Sequence, residues 1–173
     1  MNARSQSDSP DRALLAVDAL RRSGRLRLQV RGASMLPTLW PGDLVEIASC
    51  SLADVRPGEI VLTLRDGRFY LHRFIERSGT ESFVARGDAM PNPDPAFPAT
   101  AFLGRVTRGK RSGQTVSISS RLRPLSRGLG LLFCYSNSAR RIALKLHGSD
   151  GEPGTLLTMQ EQDIEMQELA KSA

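Results

Sequence analysis

Glu59-Ile60-Val61-Leu62-Thr63-Leu64-Arg65-Asp66-Gly67-Arg68-Phe69-Tyr70-Leu71-His72-Arg73-Phe74-Ile75 is the stretch on which the fold turns. Two strand-like runs flank Asp66-Gly67, and Asp-Gly between such runs is a strong hairpin signal. Pro57-Gly58 supplies the turn before the first run. Ser82 to Arg86 is predicted to pair with the second run across Ser78-Gly79-Thr80. Upstream, Arg25-Leu26-Arg27-Leu28-Gln29-Val30 alternates with period two, as a half-buried strand does. The chain then reverses at Gly32 and at Pro41-Gly42, and Leu44 to Ile47 is strand-like. Downstream, the proline-rich segment 91–98 reads as irregular, and Phe102 to Thr107 and Thr115 to Ser119 as further short strands. The predicted fold class is therefore mainly β, with a short N-terminal helix and a C-terminal helical extension.

Four segments follow from this reading. Residues 1–24 hold a disordered start of eight residues and one helix. Ser9-Pro10-Asp11 marks its start, and Ala13, Leu14, Val17 and Leu20 form the apolar stripe up to Gly24. Residues 25–120 form the β-rich body. Residues 121–148 form a basic amphipathic helical segment. Leu122, Leu125, Leu129, Leu132, Ile142 and Leu146 fall at approximate helical spacing there, flanked by Arg121, Arg123, Arg127, Arg140, Arg141 and Lys145. Such a helix is expected to pack on the body, with contact to a membrane surface through 121–147 as the alternative. Residues 149–173 are an acidic tail, in which Thr158 and Glu161 are spaced to cap a last short helix, with a disordered tail as the alternative.

Composition narrows the function classes. The 173 residues carry a net charge of +6, unevenly placed. From Asp150 onward there are six acids and one base, whereas the chain up to Ser149 has a net charge of +11. A basic body suits anionic surfaces, but no base-reading motif accompanies the charge and one N-terminal helix cannot make a helix-turn-helix. No nucleic-acid partner is expected. Two histidines and the separated Cys50 and Cys134 match no metal spacing, so neither a metal nor a cofactor is expected, and the cysteines read as apolar fillers. No secretory signal is evident, since Asp18 and Arg21-Arg22 break the first apolar stretch, and no run approaches a membrane span. These features predict a cytoplasmic protein, with the membrane surface as a peripheral site.

Three stretches carry chemistry. Gly32-Ala33-Ser34-Met35-Leu36-Pro37-Thr38-Leu39 presents a serine in a small-residue turn. A serine hydroxyl is a weak nucleophile until a base takes its proton, and it needs backbone N–H groups nearby for an oxyanion. Most serines beside a glycine simply form turns. His72 lies on the Tyr70 and Phe74 face of its run, and partial desolvation favours the neutral ring that a general base requires. A lone histidine in a β wall more often just packs. Asp88 and Asp94 follow in Arg86-Gly87-Asp88-Ala89-Met90-Pro91-Asn92-Pro93-Asp94, and either could orient the ring or merely cap a turn. His147 has no nucleophile near it in sequence and reads as structural.

Gly32-x-Ser34-Met35-x-Pro37-Thr38-Leu39, followed by Gly42-Asp43, resembles the nucleophile box of type I signal peptidases and of the LexA-like self-cleaving repressors. Pro57-Gly58-Glu59-Ile60-Val61 resembles the next strand of that superfamily. Leu71-His72-Arg73 resembles the base box of the archaeal and endoplasmic-reticulum variants, where histidine replaces lysine. Gly87-Asp88 through Asp94 resembles the Gly-Asp acidic box. The boxes run in family order over residues 28–108. The resemblance implies a barrel-like catalytic domain and metal-free peptide-bond hydrolysis. Its peptide or protein substrates bind as extended strands, with small residues before the cut. By it, Ser34 is the nucleophile, His72 the base, and Asp94 or Asp88 the orienter. Asp94 is preferred because its loop can fold back over the site, with Asp88 as support for the same network. Gly32, Met35 and Pro37 are expected to line the substrate site. Gly32 stands where some bacterial members have a hydroxyl, so the oxyanion hole would use backbone N–H groups, that of Ser34 among them. No apolar run in this sequence matches the N-terminal membrane anchor usual in signal peptidases, so none is expected here. A self-processing regulatory peptidase and a non-catalytic peptide-binding module are the alternatives.

Overall fold

The computed structural model describes residues 10–118, 129–130, 132–134, 136–146 and 157–159. Helix α1 (Pro10–Ser23) leads into β1 (Arg25–Val30), and the Ser34 loop connects β1 to β2 (Leu44–Ala48). A short 3-10 turn (Leu52–Asp54) precedes β3 (Ile60–Arg65), which forms a hairpin with β4 (Arg68–Arg77). Strands β5 (Ser82–Arg86), β6 (Phe97–Pro98), β7 (Phe102–Arg111) and β8 (Gln114–Val116) follow. Helical residues 129–130 and 132–134 precede α2 (Asn137–Leu146), and Leu157–Met159 forms β9.

All pairings are antiparallel, in the order β6-β5-β4-β3-β7-β2-β1-β9, with β8 added to β7. The sheet curls until β9, at one end of the order, lies beside β4. Asp66 and Gly67 both take positive φ, 52° and 72°, which a two-residue type I′ turn requires. Strand β3 is buried on both faces because the curled sheet has a core on each side. Ile60, Leu62, Phe69 and Leu71 join β1, β2 and α1 in one core. Val61, Phe74, Phe83, Ala85 and Phe97 form the other, with Phe83 and Phe97 stacked at 5.5 Å.

Three expectations change here. Helix α1 buries Ala13, Ala16, Val17 and Leu20, but Leu14 points outward with Leu15, each 61% exposed. The buried stripe follows the 3.6-residue period through positions 13, 16, 17 and 20, and Leu14 falls off that face. Full burial of a side chain such as Leu20 stabilises the helix on the sheet by about 1.5–3 kcal/mol. Phe97-Pro98, expected to be irregular, is a two-residue strand on β5, where proline is tolerated because the strand is at an edge. Thr158 is in β9 rather than at a helix start, because the outer edge of β1 offers Leu28, Gln29 and Val30 for pairing. The expected disordered start, Ser9, Leu122, Leu125 and His147 lie outside the described residues.

In the C-terminal segment, Phe133 and Leu144 are buried against Ala33, Leu36 and Ala89, with Trp40 alongside. The Phe133 and Trp40 rings meet edge-on at 6.5 Å. Thus the helical segment shares a core with the loop that carries Ser34. Its apolar residues Leu129, Leu132 and Ile142 remain exposed. Among the described residues no helix is long and apolar enough to cross a membrane.

Candidate active site

The loop after β1 is fixed from both sides. Met35 and Leu39 point into the core under α1, whereas Ala33 and Leu36 face Phe133 and Leu144. The half-buried Ser34 sits between them. The loop closes on β2 through Val30 N–H to the Asp43 carbonyl (2.8 Å) and Gly42 N–H to the Val30 carbonyl (2.7 Å). The buried Asp43 carboxylate accepts from Trp40 N–H at 2.8 Å and from two Arg111 nitrogens at 2.7 Å each. Trp40 Nε1 in turn donates to the Pro37 carbonyl at 2.9 Å.

Segment 87–89 then holds the Ser34 backbone directly. Ala89 N–H donates to the Ser34 carbonyl at 2.8 Å. Gly87 packs so closely that a Cβ there would lie 2.6 Å from that carbonyl oxygen and 3.1 Å from Ser34 Cβ. Only glycine fits the position without moving the serine.

His72 is brought to Ser34 by β4, 38 positions further along the chain. Its Nε2 is 3.1 Å from Ser34 Oγ, and its Nδ1 is 2.5 Å from Asp94 Oδ2. This geometry suits the tautomer with the proton on Nδ1, which would donate to the carboxylate and leave the Nε2 lone pair facing the hydroxyl. The His72 side chain is 4% exposed, and the Tyr70 ring lies 6.1 Å away. Asp94 is held in place by its own N–H bonded to the Ala85 carbonyl at 2.9 Å. Arg65 fastens the rest of that loop, donating to the Pro95 and Ala96 carbonyls at 2.8 and 2.9 Å. Its guanidinium also lies 3.8 Å over the Phe97 ring.

Asp88 does not reach His72. Its carboxylate takes Arg73 Nε on one oxygen and Arg73 Nη2 on the other, both at 2.7 Å, and accepts the Thr38 hydroxyl at 2.5 Å. Arg73 also donates to the Gly58 carbonyl. The offer of Asp88 to His72 is thus corrected: successive residues of β4 point to opposite faces, and Asp88 is on the Arg73 face. Met35 is also corrected as a substrate contact, since it is 1% exposed within the core. Gly32 is buried and Pro37 half-buried beside the serine turn. The roles of Arg73, Thr38, Arg65 and Gly87 were not read from the sequence, although Arg73 and Thr38 stand inside the quoted boxes. Among the described residues, no cluster of three or more His, Cys, Asp or Glu is placed to hold a metal ion.

A hydroxyl, an imidazole and a carboxylate thus lie within hydrogen-bonding distance in succession: Ser34, His72 and Asp94. A family model described as Peptidase S24-like matches residues 7–107, more than half of the chain. The chain belongs to the Peptidase S24-like family. Membership fits the mainly β sheet and brings serine-peptidase or LexA-like self-cleaving chemistry at the level of the family. A search of curated proteins finds no match.

Proposed function

We propose that this S24-like protein is a serine endopeptidase working through Ser34, His72 and Asp94. The 3.1 Å approach of His72 Nε2 to Ser34 Oγ carries the reading. On attack, the Ser34 proton passes to Nε2 as Oγ bonds to the peptide carbonyl carbon. Asp94 stabilises the imidazolium, which then protonates the leaving amine, and water repeats the cycle on the acyl-enzyme. Backbone N–H groups at the serine turn, that of Ser34 among them, supply the oxyanion contact in this scheme. The substrate is an extended peptide with small residues before the cut. A cytoplasmic setting and surface contact with a membrane through 121–147 belong to the same proposal, the latter supported by exposed Leu129, Leu132 and Ile142.

The test is cleavage of an alanine-containing extended peptide, followed by mass spectrometry. Ser34→Ala is expected to reduce turnover to the uncatalysed level with an unchanged thermal transition. Undiminished cleavage by that variant rejects the proposal. The self-processing alternative is favoured by the family match and predicts concentration-independent fragmentation of the wild-type chain, blocked in Ser34→Ala.

A further inference from the structure

Strand β9 occupies a particular edge. It pairs antiparallel with β1, Leu28 opposite Met159, Gln29 opposite Thr158 and Val30 opposite Leu157. Strand β1 runs directly into the serine turn, so Leu157 stands opposite a residue four positions before Ser34. Strand β9 also lies near β4, the strand that carries His72. It is thus paired with the strand that leads to Ser34 and lies near the strand that carries His72.

Pairing at this edge is made by the backbone. Val30 turns its N–H and carbonyl toward Asp43 and Gly42. Alternation then turns those of Gln29 to the opposite edge, where Thr158 lies. Any extended segment can satisfy such an edge, and strand addition is a common mode of peptide recognition. Charge favours this particular occupant. Strand β1 exposes Arg25 and Arg27 on the far side of Leu28 from Ser34. The sequence after Met159 contains Glu161, Asp163, Glu165 and Glu168, opposite in charge to those arginines.

We propose that the acidic C-terminal tail is a resident strand in the peptide-docking edge of β1, and that a substrate must displace it. The inference deepens the peptidase reading and rests on it for its consequence, but docking itself requires no catalysis. The displacing partner is an extended peptide with apolar residues followed by an acidic stretch, matching the chemistry of the tail. An acidic flank would gain from the positive charge of Arg25 and Arg27.

The experiment measures binding with Ser34→Ala as the background, so that a failed peptidase reading does not affect it. The probe is a fluorescent synthetic peptide of residues 153–165. A tail docked about nine-tenths of the time weakens its apparent affinity about tenfold. Both deletion of 150–173 and Thr158→Pro in the full chain are expected to recover that factor, the second because proline cannot donate at the paired position. Thr158→Pro leaves the β body intact, which guards against misfolding of the truncated chain. Hydrogen exchange gives the second readout. In Thr158→Pro the Gln29 amide is expected to lose protection while the Val30 amide, bonded to Asp43, keeps it. Equal probe affinity in all three proteins, or an unchanged Gln29 amide, overturns the proposal. Gln29 protection that rises with protein concentration also overturns it, since the strand would then come from a second copy.

Discussion

Arg73, the neighbour of His72 in β4, holds Asp88 by two bonds of 2.7 Å, while His72 takes Asp94 from the same loop. Two adjacent residues of one strand thus recruit two carboxylates on opposite faces. The loop makes this workable by its path: it runs from β5 to the Ser34 backbone at Gly87 and Ala89, then returns to Ala85 through Asp94 N–H. One carboxylate serves the imidazole and the other clamps the loop to Thr38 in the serine turn.

The two carboxylates therefore separate by measurement. Asp94→Asn should lower kcat by about 10⁴, as loss of the orienting carboxylate does in a serine triad, with little change in stability. Asp88→Ala leaves the largely buried Arg73 guanidinium without its carboxylate and should cost about 3–5 kcal/mol in urea unfolding. If the two variants show the reverse pattern, the division of labour is wrong.

Gly87→Ala pushes a methyl group against the Ser34 carbonyl. Overpacking of this kind costs about 1–3 kcal/mol. The expected signature is a fall in turnover beyond the loss of stability, because the displaced atom belongs to Ser34, the proposed nucleophile. Unfolding midpoints beside single-turnover rates distinguish the two effects, and wild-type rates with lowered stability would contradict the close-contact argument.

Phe133→Ala removes the aromatic side chain between the C-terminal segment and the serine loop. Truncation of a well-packed phenylalanine costs about 3–5 kcal/mol. Activity should fall together with stability, and faster exchange at the Leu36 and Leu39 amides should accompany it. A stable, fully active variant would show that the loop is rigid without the helical segment.

Burial pushes the Cys50 thiol up from its ordinary value; Arg105 works against this, while Asp54 and Glu59 add to it. At neutral pH, less thiolate forms than for a free cysteine, and the thiolate is the reactive species. In a Cys134→Ser background, iodoacetamide labelling should be slow, should rise with pH, and should accelerate in urea. Labelling as fast in the native as in the unfolded chain would reject the effect of burial.

Exposed Leu132 and Ile142 lie in the basic C-terminal segment, with Arg141 and Lys145 also exposed. Vesicles rich in phosphatidylserine should carry the protein upward in flotation at low salt, and Leu132→Glu with Ile142→Glu should abolish it. Wild-type protein that stays at the bottom of the gradient would remove the membrane proposal.

Much of the fold was readable along the chain because its signals are local. Period-two alternation marked β1 at Arg25–Val30, the Ser78-Gly79-Thr80 loop placed Ser82–Arg86 beside β4, and Asp66-Gly67 marked the hairpin. Ser34, His72 and Asp94 were candidates from residue type and order alone. What the chain could not state was non-local. Asp88 and Asp94 are both plausible partners for an imidazole until the register of β4 and the return of the loop send them to different faces. Met35 looked available in a turn until α1 and the sheet closed over it. Leu157–Met159 carries no strand signal stronger than its neighbours and becomes β9 only where the curled sheet leaves the edge of β1 to be paired. Local sequence sets the backbone and the direction of each side chain. Which side chains meet depends on long-range closure, whose contacts form between segments that bear no mark of one another.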